Sequence, residues 1–211
     1  MTNREGLLVV ISGFAGVGKG TIVKGLLNKY DNYALSVSMT TRQPREGEVE
    51  GVSYFFVTKE KFEETIAENG LIEYACYCDN YYGTPKAYVD SQLKAGKDVI
   101  LEIEIQGARK IKEMFPEAVL LFVCPPSAEE LKNRLVGRGT ETPEVVDKRM
   151  NRAIEESEGI FDYDFIVVND DVEAAIDRTR NIIEAMHADP KRNEAFVRRI
   201  QEELKDLAKG E

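Results

Sequence analysis

Leu7-Leu8-Val9-Val10-Ile11-Ser12-Gly13-Phe14-Ala15-Gly16-Val17-Gly18-Lys19-Gly20-Thr21 is the stretch that decides the fold. Five consecutive apolar residues read as a strand buried on both faces. A glycine-rich run follows, and Ile22-Val23-Lys24-Gly25-Leu26-Leu27 then continues with helical character. Strand, glycine turn and helix in this order are the context that makes a G-x-x-x-x-G-K match a phosphate-binding P-loop. Gly13, Gly16 and Gly18 let the backbone take positive φ and come close to a ligand. Phe14, Ala15 and Val17 contribute main chain to the same loop. Successive amides form an anion nest, and the positive end of the helix dipole adds to it. Lys19 is placed to reach the outer phosphates of a nucleoside triphosphate. The general motif continues with Ser or Thr, whose hydroxyl ligates Mg²⁺, but this chain has Gly20, with Thr21 one later. Thr21 is therefore expected on phosphate, with Mg²⁺ held by nucleotide oxygens and water, a coordination that ion accepts.

Around this loop, apolar runs alternate with helical patterns, which predicts an α/β protein with a parallel sheet and crossover helices. Core strands are expected at residues 7–12, 34–37, 99–105, 119–123 and 165–168. Ser127 with Glu130 reads as a capping box for a helix over 128–136. Thr142 followed by Pro143 opens the next helix, and Gly96 stops one over 87–95. The chain has 211 residues, 43% hydrophobic and 31% charged, which suits one compact unit with inserted subdomains. Its net charge of −10 argues against a nonspecific nucleic-acid binder. Cys76, Cys78 and Cys124 are odd in number and lack metal-type spacing, so reduced, buried thiols are expected. His187 is the single histidine and has no motif partner, so no catalytic role is assigned to it. No signal-peptide pattern and no membrane-spanning segment is read, and a soluble, cytoplasmic protein is expected.

Residues 38–88 interrupt the alternation. They are rich in Thr, Tyr, Glu and Gly, with a short strand at Tyr54-Phe55-Phe56-Val57, a helix over 59–69 and a strand over 71–75. This reads as a small α+β insertion. It carries Ser38-Met39-Thr40-Thr41-Arg42-Gln43-Pro44-Arg45, two arginines three apart around a proline. The planar guanidinium fork suits bidentate phosphate recognition, and Tyr54 and Tyr82 add phenol donors. A second phosphate pocket, separate from the P-loop, follows from this grouping. Glu73 lies in an otherwise apolar strand. A carboxylate there matches the two adjacent donors of guanine, and adenine would present an acceptor instead. Sites built on such pairing reject analogues, because a mismatch leaves buried groups unpaired.

Val99-Ile100-Leu101-Glu102-Ile103-Glu104-Ile105-Gln106 reads as a strand on which Glu102, Glu104 and Gln106 share one face. Its C-terminal end is where ligands bind in parallel sheets, so Glu102 and Glu104 are taken as site residues. Gly137-Arg138-Gly139-Thr140-Glu141-Thr142 reads as a hinged lid carrying an arginine. Phe196, Ile200, Leu204 and Leu207 mark an amphipathic C-terminal helix, read as a packing or homodimer element.

With these residues in view, the chain resembles the guanylate kinases from about residue 7 to residue 183. The resemblance rests on the P-loop, on Ser38-x-Thr40-Thr41-Arg42-x-Pro44-Arg45-x-Gly47-Glu48-x-x-Gly51-x-x-Tyr54, and on Asn80-Tyr81-Tyr82-Gly83-Thr84. Further on it rests on Ile105-Gln106-Gly107, Gly137-Arg138-Gly139-Thr140-Glu141 and Val168-Asn169-Asp170-Asp171. It implies a P-loop nucleoside-kinase fold, with a five-stranded parallel core sheet flanked by helices, a small α+β GMP-binding insertion and a short lid. It also implies ATP and Mg²⁺ on one side, GMP and dGMP as acceptors on the other, and no nucleic-acid or membrane partner. The expected layout is a core of 1–37, 89–136 and 156–188, an insertion of 38–88, a lid of 137–155 and a C-terminal helix in 189–211. Carried over position by position, Arg42, Arg45, Tyr54 and Tyr82 hold the GMP phosphate, and Ser38, Glu73 and Thr84 read the guanine. Arg138 and Arg149 act on the transferred phosphoryl group, Asn169 lies on the adenine side, and Glu102 and Glu104 order metal or touch guanine. Glu104 departs from the family's usual aspartate. Other nucleoside monophosphate kinases, noncatalytic guanylate-kinase-like modules and P-loop hydrolases are the competing readings.

Overall fold

The computed structural model describes residues 5–45, 47–77, 79–137 and 142–209. Five strands form the expected parallel sheet, and their order is β2-β7-β1-β8-β9: β1 (Leu8–Gly13), β2 (Tyr33–Leu35), β7 (Asp98–Glu102), β8 (Val119–Cys124) and β9 (Phe165–Val168). The central strand β1 explains why the sheet is buried on both faces. Alternate side chains leave a strand on opposite sides. Val9 and Ile11 enter one core with Ile22, Val23 and Leu26 of α1 (Lys19–Lys29) and Ile176 and Ile183 of α7 (Val172–His187). Leu8 and Val10 enter the other with Val89 of α3 (Lys86–Lys94) and Ala108 and Ile111 of α4 (Ile105–Met114). Gly25 on α1 has room for no side chain, since a Cβ there would lie 2.1 Å from Ile176 Cδ1. The close approach of α1 to α7 requires it.

A second, four-stranded sheet has the order β4-β3-β6-β5 and is built from β3 (Met39–Thr40), β4 (Phe55–Phe56), β5 (Leu71–Tyr77) and β6 (Asn80–Pro85). With α2 (Lys59–Ala67) packing Phe62 against it, this is the α+β insertion. Thr58 caps α2 by accepting from the Lys61 amide. Strand β6 was not expected as a strand: Asn-Tyr-Tyr-Gly-Thr-Pro has no clear alternation, and its pairing with both β3 and β5 holds it extended. Ser127 Oγ accepts from the Glu130 amide at the start of α5 (Ala128–Gly137), and Pro143 opens α6 (Pro143–Ser157). Gly96, at φ 80°, ends α3.

Two expectations need correction. The strand expected over 99–105 ends at Glu102, and α4 begins at Ile105 with Glu104 as its N-cap residue. Ile103 O accepts from Ser12 Oγ at 2.7 Å, and Ala108 N donates to Glu104 O at 3.0 Å. Ala108 and Ile111 share a helical face in the core, and that burial overrides the alternation written in Glu-Ile-Glu-Ile-Gln. Glu102, Glu104 and Gln106 therefore do not line one strand face. Of the thiols expected to be buried, Cys76 is exposed, Cys124 is half-buried with its thiol pushed up by burial, and Cys78 lies outside the described residues. The C-terminal helix α8 (Glu194–Lys209) has Phe196, Leu204 and Leu207 exposed and Ile200 half-buried.

Candidate active site

The P-loop sits between β1 and α1. Gly16 and Gly18 have φ of 85° and 97°, and neither tolerates a Cβ, which would lie 2.7 Å from Leu135 Cδ2 and 2.5 Å from Asn169 Nδ2 respectively. Helix α1 starts at Gly18 with no side-chain cap and no acid in its first turn, which leaves its positive end for an anion. Lys19 Nζ donates to Gly13 O at 2.6 Å and Phe14 O at 3.2 Å, so the ammonium lies over the loop. Phe14 is buried edge-on against Phe122, with ring centroids 5.0 Å apart, and Val17 is fully buried. Ala15 is half-buried in the turn between them. A cavity of about 330 Å³ opens over Gly18, Lys19, Gly20 and Thr21, with Glu102 on its wall. The Glu102 carboxylate oxygens lie 3.7 Å from where a Cβ on Gly20 would stand. The side chain missing at Gly20 thus faces a carboxylate.

Asn169 is buried and braces the loop through Nδ2 to Val17 O at 2.8 Å. Arg134, which the sequence reading passed over, joins the same brace. It donates to Asn169 O at 2.9 Å and Val17 O at 3.4 Å, and pairs with Glu130 at 2.8 Å. The Glu130/Arg134 spacing of four on a helix was the available signal. An acid that no motif marks is Glu156 on α6, which accepts from Arg152 Nε at 2.9 Å. Burial pushes its carboxyl up, while Lys19 is close enough to pull it the other way.

The insertion gathers a second cluster. Arg42 leaves β3 with its guanidinium 5.5 Å from the centre of the Tyr54 ring, and Tyr54 and Tyr82 meet edge-on with centroids 6.0 Å apart. Arg42 Nη2 reaches both oxygens of Glu48, at 2.8 and 3.0 Å. Arg45 is exposed, and its amide donates to Glu48 Oε2 at 2.7 Å. Thr84 is buried on β6 and donates its hydroxyl to Glu73 Oε1 on β5 at 2.8 Å. Burial raises the Glu73 carboxyl above its ordinary range, and the Thr84 bond works against that rise. Ser38, half-buried before β3, accepts the Phe55 amide through its carbonyl. Glu104 is exposed and pairs with Arg152 on α6 at 3.3 Å. Arg149 lies half-buried on α6. Arg138 lies outside the described residues. The donor-rich loop lies on the five-stranded sheet, and the arginine cluster and the half-buried Glu73 carboxylate lie in the insertion.

A family model described as "Guanylate kinase" matches residues 5–186. The chain belongs to the guanylate kinase family, the ATP:GMP phosphotransferases. It is 54% identical over 187 residues to the guanylate kinase of Halalkalibacterium halodurans, covering 89% of this chain and 92% of that protein. It is 56% identical over 180 residues to the guanylate kinase of Clostridioides difficile, covering 85% and 88%. The crystal structure of guanylate kinase from Anaplasma phagocytophilum superposes with a TM-score of 0.64 at 34% identity, covering 86% of each chain.

Proposed function

We propose that the P-loop takes the phosphates of ATP and that the insertion takes GMP and dGMP, the γ-phosphoryl passing directly from one to the other. The observation that carries this reading is the Glu73–Thr84 pair: a half-buried carboxylate held through one oxygen by the Thr84 hydroxyl at 2.8 Å. Guanine offers the adjacent N–H groups such an acceptor needs. Ser38 completes the base pocket, and Arg42, Arg45, Tyr54 and Tyr82 hold the acceptor phosphate. The acceptor oxygen is already anionic at neutral pH, so no side chain need act as general base. Catalysis is alignment and charge neutralisation, supplied by Lys19 and by Arg138 and Arg149. Asn169 keeps the loop in shape on the donor side.

Mg²⁺ fits the hard oxygen donor present: the Glu102 carboxylate beside Gly20 would hold it, directly or through water, together with nucleotide oxygens, while Thr21 is assigned to phosphate. Bound there with ATP, the ion would neutralise phosphate charge. Glu104, paired with Arg152, is assigned with the acceptor group. Among the described residues no helix is long and apolar enough to cross a membrane, and a cytoplasmic location is part of the proposal. So is a homodimer through the exposed stripe of α8, which sedimentation at assay concentration would test.

Phosphate acceptance from ATP by GMP, dGMP, AMP, CMP and UMP tests the central reading. GMP and dGMP are expected to be used and the rest rejected. A preference for AMP would overturn the guanine assignment, and absence of any transfer would favour a binding module.

A further inference from the structure

Glu48 belongs to no role assigned above, yet it is the group through which the acceptor arginines meet. Its carboxylate takes Arg42 Nη2 on both oxygens, at 2.8 and 3.0 Å, and the Arg45 amide on Oε2 at 2.7 Å. The Glu48 amide in turn donates to Arg45 O at 3.1 Å, so main chain and side chain close one turn. Gly47, at φ 82°, gives that turn its left-handed residue. The Arg42 and Glu48 side chains are only 14% and 21% exposed. Two further contacts fix the arginine: Nη1 donates to Gln43 O at 2.7 Å, and the Tyr82 phenol acts on the same guanidinium.

We propose that Glu48 is a positioning residue for the acceptor phosphate, holding the Arg42 guanidinium aimed at it. The proposal rests on the reading that Arg42 binds that phosphate. Glu48 is anchored by the backbone of its own turn, independently of Arg42, and so serves as the fixed partner. Arginine otherwise has a long, freely rotating side chain, and fixing it in advance lowers the ordering cost of binding. The carboxylate also cancels part of the arginine's charge, which opposes anion binding. Solvent and salt screen that second effect at a partly exposed site, whereas nothing screens a misaimed fork. The orienting effect therefore dominates.

The test is a double-mutant cycle on the full chain with Glu48→Gln, Arg42→Lys and both together, reading kcat and KM for GMP and ATP. A thermal melt shows that each variant is folded. Glu48→Gln is expected to raise KM for GMP about tenfold, the scale of one lost charge-assisted contact, with kcat and KM for ATP within about twofold. In the Arg42→Lys background the same change is expected to move KM for GMP less than about twofold. An equal rise in both backgrounds would mean that Glu48 serves only its own turn, and the proposal would fall. A lower KM in Glu48→Gln would overturn it too, showing the carboxylate as a competitor of phosphate. If Arg42→Lys alone leaves KM for GMP unchanged, the assignment of Arg42 itself fails.

Discussion

Thr84 Oγ1 lies 2.8 Å from Glu73 Oε1 and donates to it, tying β6 to β5 at a buried point of the insertion. The bond engages one oxygen of the carboxylate proposed to read guanine. Burial raises the Glu73 pKa, which disfavours its charged form.

Glu73→Gln is expected to separate binding from stability. The amide keeps an acceptor for Thr84 but presents a donor in place of the second acceptor, so KM for GMP rises by at least about tenfold while KM for ATP barely moves. A group raised by burial adds stability at low pH and withdraws it as pH rises through its folded pKa. Removing the charge should therefore raise the melting temperature of the ligand-free protein at pH 7. Equal losses for GMP and ATP would reject the base-reading role.

Acidification should act through the same group. As pH falls, Glu73 takes up its proton earlier than an ordinary carboxylate, and KM for GMP should rise before KM for ATP does. The GMP phosphate titrates as well, with a second pKa of about 6, so the quantity to compare is the wild-type profile against that of Glu73→Gln. Coincident profiles would remove Glu73 from the pH response.

Lys19→Ala should lower kcat by at least about 10²-fold, the scale of one lost electrostatic stabiliser. Near-normal turnover would refute the loop assignment.

Gly18→Ala places a Cβ 2.5 Å from Asn169 Nδ2 at a φ of 97°. The strain and the displaced bond to Val17 O together should cost about 2 kcal/mol or more, read by denaturant unfolding. Adding Asn169→Ala should relieve the collision but not the backbone strain. A Gly18→Ala protein of wild-type stability would show that the brace is not rigid.

His187 Nε2 meets Asp98 Oδ1 at 2.8 Å, with side chains 8% and 0% exposed, and Asp98 also accepts the Leu7 amide. This joins the end of α7 to the starts of β7 and β1, away from both clusters. His187→Ala should reduce stability by about 1–3 kcal/mol and leave both KM values unchanged. A shifted KM would overturn a purely structural role.

The sequence by itself determined the P-loop, the parallel sheet and the arginine pair. Each depends on local chemistry: glycines at fixed spacing, apolar runs of strand length, and guanidinium groups beside a proline turn. Glu73 was legible because a lone carboxylate in an apolar strand is conspicuous. The tertiary structure decided what pairing and burial decide. Strand β6 is extended because two neighbours hold it, and Glu104 stands at the start of a helix, not within a strand, because Ala108 and Ile111 must reach the core. Glu48 meets Arg42, and Arg134 meets Asn169, across chain separations of 6 and 35 residues. The latter meeting brings α5 against the end of β9, a contact that packing alone creates.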